Sequence, residues 1–122
     1  MEDTYFYDTY ALIELFQLSP SYMVYSKCKI ITTYFQLYEL YYNLRKMYSD
    51  EEINEYFETI KAVCISLDPS WIKEATEFRL KNKSLSLSYT DCLGYVAAKR
   101  VGIHFLTGDK EFRNMPNVEF VK

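Results

Sequence analysis

The chain has 122 residues, 49% of them hydrophobic and 25% charged, which is one globular domain's worth and enough for one real core. Three Gly and three Pro exclude a collagen-like or linker-dominated chain, and no apolar run approaches the roughly 20 residues of a membrane-crossing helix. The net charge of −3, from 14 basic and 17 acidic residues, speaks against a nucleic-acid binder unless several carboxylates are taken up by metal ions.

Thr4-Tyr5-Phe6-Tyr7 opens the chain as a short aromatic and β-branched run, read as a buried strand. Asp8-Thr9 starts a helix with Ala11, Leu12, Leu15 and Phe16 on one face. Ser19-Pro20 stops it and begins a second short helix over 21–27, since Pro suits a first helical turn. Cys28-Lys29-Ile30-Ile31 reads as the second strand. Thr32 or Thr33 begins a long helix to about Tyr48, and Ser49 followed by three acids begins another to about Ile60. The run 62–67, Ala-Val-Cys-Ile-Ser-Leu, reads as the clearest strand of all. Asp68-Pro69 opens a helix to about Lys81, and Ser88 opens one that ends at Gly102. Ile103-His104-Phe105-Leu106 is the fourth strand, Thr107-Gly108-Asp109 a turn, and Val118-Glu119-Phe120-Val121 a closing strand. Strands alternating with helices imply an α/β fold with a mostly parallel sheet covered on both faces, in a single domain over 1–122.

The remaining composition points the same way. Met1-Glu2-Asp3 is not the basic start of a signal peptide. Cys28, Cys64 and Cys92 are odd in number and far apart, so neither a disulfide framework nor a zinc knuckle is expected, and the expected setting is a reducing cytoplasm. Eleven of the thirteen tyrosines fall between Tyr5 and Tyr56, which suits either a Tyr-rich core rim or an interface.

In open α/β sheets, ligands bind beyond the carboxyl ends of the strands. Asp8 follows the first predicted strand, Asp68 the third and Asp109 the fourth. Asp91 sits in the first turn of the helix that leads into the fourth strand, and Glu39 lies in an otherwise apolar and aromatic helix. Each acid also has a plain structural reading. Asp8, Asp68 and Asp109 suit helix N-caps, Asp91 follows Ser88 at the spacing of a capping box, and Glu39 suits a solvated helix position. Asp-Pro capping fully accounts for Asp68. Four acids converging on one sheet edge would repel one another, and a hard divalent cation with oxygen ligands resolves that cost.

The pattern resembles the PIN domain family, and within it the VapC-type toxin ribonucleases. The resemblance rests on 5–9 (Tyr-Phe-Tyr-Asp-Thr), on Glu39 within 36–41, on Asp91 within 87–98 and on 106–112 (Leu-Thr-Gly-Asp-Lys-Glu-Phe). It implies a three-layer α/β/α sandwich and an endoribonuclease dependent on Mg²⁺ or Mn²⁺. By position, Asp8, Glu39, Asp91 and Asp109 become the acidic quartet that holds metal. Thr107 becomes a hydroxyl bonding to the last acid or to water at the metal, and Glu111 an outlying acid. The chain departs from the family at Tyr10, where a small or aliphatic residue is common, and at Gly94, where Ala or Ile is common. The resemblance also implies an RNA substrate, a homodimer and an antitoxin partner. Lys110, Arg113, Lys99 and Arg100 are candidates for the RNA backbone by proximity in sequence. His104 reads as structural. Two other readings compete: a catalytically silent PIN-like module that binds RNA or protein, and a phosphoacceptor receiver-like domain. The receiver reading lacks its acidic pair after the first strand and its Lys-Pro near the last.

Overall fold

The computed structural model describes residues 2–122. Its elements, in chain order, are β1 (Thr4–Tyr7), α1 (Thr9–Phe16), α2 (Pro20–Met23), β2 (Lys29–Ile31), α3 (Tyr34–Arg45), α4 (Asp50–Lys61), α5 (Ser70–Lys81), α6 (Tyr89–Val101), β3 (His104–Thr107), a 3₁₀ turn (Lys110–Phe112) and β4 (Val118–Phe120). The strands form one sheet in the order β2-β1-β3-β4, with every neighbouring pair parallel. The fold is the expected α/β sandwich.

Local chemistry starts and stops these elements. Thr33 caps α3 through its hydroxyl, which accepts from Phe35 N. Ser49 and Glu52 close a reciprocal capping box on α4, and Ser88 and Asp91 do the same on α6. Gly102 ends α6 at φ 79°, a left-handed conformation that glycine adopts without penalty.

Two cores result from the strand alternation. Tyr5, Tyr7 and Leu106 point to one face and pack with Leu12 of α1, Leu37, Leu40 and Leu44 of α3, and Ile53 and Ile60 of α4. Phe6 and Phe105 point to the other face and pack against α5 and α6, with Tyr95, Val96 and Phe112. The Phe6 and Phe105 rings stack with centroids 5.9 Å apart. Both are fully buried, each contributing about 1.5–3 kcal/mol of hydrophobic stabilisation.

The strand expected over 62–67 is reduced to one bridge, Thr32 with Cys64, held by Ile65 N donating to Thr32 O at 2.8 Å. α4 runs to Lys61 and the turn continues through Ala62 and Val63, so only the four residues 64–67 remain free to pair before Asp68-Pro69 turns the chain away. Val63, Cys64 and Ile65 are half-buried. The apolar run marks a sheet margin, and Asp68 therefore follows no strand. α2 covers only Pro20–Met23, shorter than the segment 21–27 expected for it.

The tyrosines divide between the two readings. Tyr5, Tyr7, Tyr22 and Tyr25 are buried. Tyr25 donates to Glu119 at 2.6 Å, and Tyr22 donates to the Val121 carbonyl, tying the α2 region to β4. Tyr34, Tyr38 and Tyr42 are 61%, 76% and 62% exposed along α3.

Candidate functional site

Parallel pairing sets β1 beside β3 with Tyr7 opposite Leu106. One residue further on, both chains reach the carboxyl edge of the sheet, and Asp8 meets Thr107. The Thr107 hydroxyl donates to Asp8 Oδ2 at 2.6 Å across 99 residues of sequence. The same hydroxyl accepts from Asp109 N at 3.1 Å. Thr107 thus links the two strand-end acids, but its carboxylate partner is Asp8. The bond from Thr107 to the carboxylate of Asp109, one of the two that the resemblance implied, is replaced by one from the Asp109 backbone N–H. Asp109 lies beyond the end of β3, where its carboxylate turns to cap the 3₁₀ turn, while the parallel register brings Asp8 beside Thr107.

Asp8 is 2% exposed. Its Oδ1 accepts from Thr9 N at 2.7 Å, capping α1, so the structural reading of this residue holds alongside any other. Burial pushes its pKa up to about 8, with the charges of Asp91 and Glu39 adding to the rise, against the lowering effect of the bonds from Thr107 and Thr9.

α6 runs antiparallel to the strands, so its first turn stands near the same edge. Asp91 Oδ2 accepts from Ser88 N at 2.9 Å, and Asp91 N donates to Ser88 Oγ at 3.0 Å. Burial raises the Asp91 pKa to about 6, opposed by the Ser88 N–H and reinforced by the charges of Glu39 and Asp109. Asp109 Oδ1 accepts from Glu111 N at 3.0 Å and caps the 3₁₀ turn. Glu39 is half-buried on α3. The four acids come from four different elements, and each of Glu39, Asp91 and Asp109 appears in the field of another. Among the described residues, none of the four is in an ion pair, and no three His, Cys, Asp or Glu side chains form a ready-made metal cage.

Other sequence candidates separate. Lys110 is exposed beside Asp109. Lys99 and Arg100 lie at the far end of α6, about 12 Å along the helix from Asp91. Arg100 is held by Glu74 at 2.5 Å and the Lys99 ammonium sits over the Tyr95 ring, so neither belongs to this edge. The Arg113 guanidinium covers Phe120. Glu111 accepts from Ser86 N at 2.9 Å, stapling the loop before α6. His104 begins β3 at the opposite edge, 3.6 Å from Glu2. Asp68 is exposed and caps Ser70 N.

Two site-adjacent residues escaped the sequence reading. Thr9 is buried, and its hydroxyl has no hydrogen-bond partner, a costly state directly beside Asp8. Gly108 is glycine because the Tyr10 ring and the Val121 carbonyl occupy the space of its Cβ. Tyr10, the bulky residue that departs from the family pattern, therefore packs on the turn that presents Asp109. A concavity of about 470 Å³ lies elsewhere, lined by Phe35, Ile72, Arg79, Leu80, Tyr89 and Leu93 among others and by none of the four acids.

A family model described as "PIN domain" matches residues 5–118. This chain belongs to the PIN domain family. Members of this family are typically nucleases. Among solved structures, the PIN fold here is similar to a chain of a toxin–antitoxin complex from Klebsiella pneumoniae, at 17% identity and a TM-score of 0.75, covering 94% of this chain and 95% of that one. It is also similar to a chain of VapBC2 from Rickettsia felis bound to a DNA fragment from their promoter, at 18% identity and a TM-score of 0.72, covering 98% and 99%. No curated protein matches the sequence.

Proposed function

We propose that this PIN domain is a metal-dependent endoribonuclease of the VapC toxin kind, with Asp8, Glu39, Asp91 and Asp109 as its metal-binding acids and Thr107 as the hydroxyl that orients Asp8. The observation that carries this reading is electrostatic. Asp8 is buried and Asp91 half-buried, both have raised pKa values, each raised further by other members of the quartet, and no basic side chain pairs with any of them among the described residues. Such a set is stable only when protonated or when a cation joins it.

The donor set fits a hard divalent ion. All its ligand atoms are oxygens, the preference of magnesium and manganese. Asp91 and Asp109 each have one carboxylate oxygen outside any hydrogen bond, and the partnerless Thr9 hydroxyl adds a polar group beside Asp8. Magnesium retains several waters, so carboxylates need not close into a tight cage before it arrives. In this reading Asp8, Asp91 and Asp109 hold the principal ion, while Glu39 orients the attacking water or helps hold a second ion. The ion supplies charge stabilisation at the scissile phosphate and eases ionisation of the attacking water. Lys110 is the basic side chain best placed to meet the RNA backbone.

The likeness to chains from toxin–antitoxin complexes supports a protein antitoxin as partner, and the exposed Tyr34, Tyr38 and Tyr42 support a homodimer or antitoxin surface on α3. The free cysteines Cys28, Cys64 and Cys92 suit a cytoplasmic protein. The intact quartet favours an enzyme over a silent binding module.

Purified protein is expected to cleave RNA with Mg²⁺ or Mn²⁺ and to stop in EDTA. Calcium is expected to raise the melting temperature with little turnover, because its looser coordination positions water and phosphate less well. Robust cleavage in EDTA would overturn the metal mechanism. Light scattering at micromolar concentration is expected to give twice the 14.6 kDa chain mass, and a monomer there counts against the dimer.

A further inference from the structure

Two of the four acids sit on helices, so the spacing between Glu39 and Asp91 depends on how α3 and α6 stand against each other. Where these helices meet, Gly94 of α6 faces Gln36 of α3. A Cβ on Gly94 would lie 2.5 Å from Gln36 Nε2, and 3.1 and 3.2 Å from ring carbons of Phe105 and Phe6. Nothing larger than glycine fits while the amide stays in place.

Gln36 is fully buried, a rare location for a primary amide, and it is satisfied at both ends. Its Nε2 donates to the Thr90 carbonyl at 3.0 Å. Its Oε1 accepts from the hydroxyl of Thr33, the cap of its own helix. Thr90 immediately precedes Asp91, and Glu39 lies one turn beyond Gln36 on α3. The amide therefore ties the helix that carries Glu39 to the turn that carries Asp91. Packing alone does not call for this arrangement. An apolar side chain at position 36 with alanine at 94 would fill the same space with no buried amide to satisfy.

We propose that Gln36 is a positioning residue that holds Glu39 and Asp91 at the separation a shared cation requires, and that position 94 is glycine to admit its amide. This rests on the metal-site reading above.

The test compares wild type, Gln36→Met, Gly94→Ala and the double variant. Two quantities are read: the Mn²⁺ concentration giving half the metal-induced rise in melting temperature, and that giving half-maximal RNA cleavage. Methionine matches the length of glutamine without its hydrogen bonds, and alanine at 94 displaces the amide. Each single variant is expected to need about tenfold more Mn²⁺ or beyond, the usual cost of losing a group that orients a metal ligand. Cleavage should recover as Mn²⁺ saturates, because all four carboxylates remain. The double variant should be about as weak as either single one, since both changes break the same tie.

A Gln36→Met protein that melts lower yet binds Mn²⁺ like wild type would show a core residue only and overturn the proposal. Losses that multiply in the double variant would also overturn it. If Gln36→Met does not fold, an unchanged Mn²⁺ midpoint in Gly94→Ala is equally fatal. A wild type without any Mn²⁺ response defeats the metal-site reading itself, and that arm separates the two failures.

Discussion

Asp8 serves two partners with one carboxylate, capping α1 through Oδ1 and receiving the Thr107 hydroxyl on Oδ2. A substitution that keeps the first task and weakens metal binding separates the structural role from the chemical one. Asparagine caps a helix about as well as aspartate. Asp8→Asn removes a negative charge from a place where burial and Asp91 both oppose it. The metal-free variant is therefore expected to melt at or above the wild-type temperature, to gain less from Mg²⁺, and to lose at least about a hundredfold in RNA cleavage if this carboxylate holds the catalytic ion. Thermal melts in EDTA and in Mg²⁺ with one cleavage assay decide it. A variant that melts lower in EDTA, keeps its Mg²⁺ shift and still cuts RNA would leave Asp8 as an ordinary cap.

At the scale of elements, α4 and α6 begin with the same device, yet only one belongs to the site. Ser49 pairs with Glu52 on an exposed turn, and Ser88 pairs with Asp91. Replacing either serine by alanine is expected to cost about 1 kcal/mol of stability. The two should part in function. Ser49→Ala should cleave RNA as wild type does. Ser88→Ala loosens Asp91 and should raise the Mg²⁺ concentration needed for cleavage. Melting curves establish the common cost, and Mg²⁺ titrations of cleavage establish the difference. Equal Mg²⁺ midpoints for the two variants would mean that Asp91 needs no help from its cap.

For the whole molecule, the acidic edge makes stability depend on pH in a direction opposite to ordinary salt-bridged carboxylates. Asp91 and Asp8 have folded pKa values of about 6 and about 8, above the unfolded value of 3.8. The unfolded chain gives up these protons first, so their contribution is full below about pH 4 and is lost as pH rises through about 6 and then about 8. In EDTA the melting temperature should fall between pH 5 and 8. Mg²⁺ replaces those protons, so its stabilising effect and the cleavage rate should both grow over the same window. A melting temperature in EDTA that stays flat or climbs across that range would contradict the raised pKa values that burial, with the neighbouring acids, gives Asp8 and Asp91.

Much of this was legible in the chain itself because its causes are local. Ser-x-x-Glu at 49–52, Thr33 before α3 and Gly102 after α6 act within one helical turn, so the residues alone mark those ends. The placement of Asp8 and Asp109 just beyond strands follows from short apolar runs and the turns after them. Hydrophobicity, however, reports burial and says little about pairing, which is why 62–67 reads as a strand while only Cys64 finds a bridge. It is equally silent on which tyrosines turn inward, since a ring with a hydroxyl suits both core and surface. Register between β1 and β3 decided that Thr107 bonds Asp8 across 99 residues. The direction of α6 decided that Lys99 and Arg100 lie away from the acids. The close approach of α3 and α6 decided that Gly94 shelters a buried amide. These are contacts between residues distant in sequence, and their geometry exists only once the sheet and both helix layers have packed.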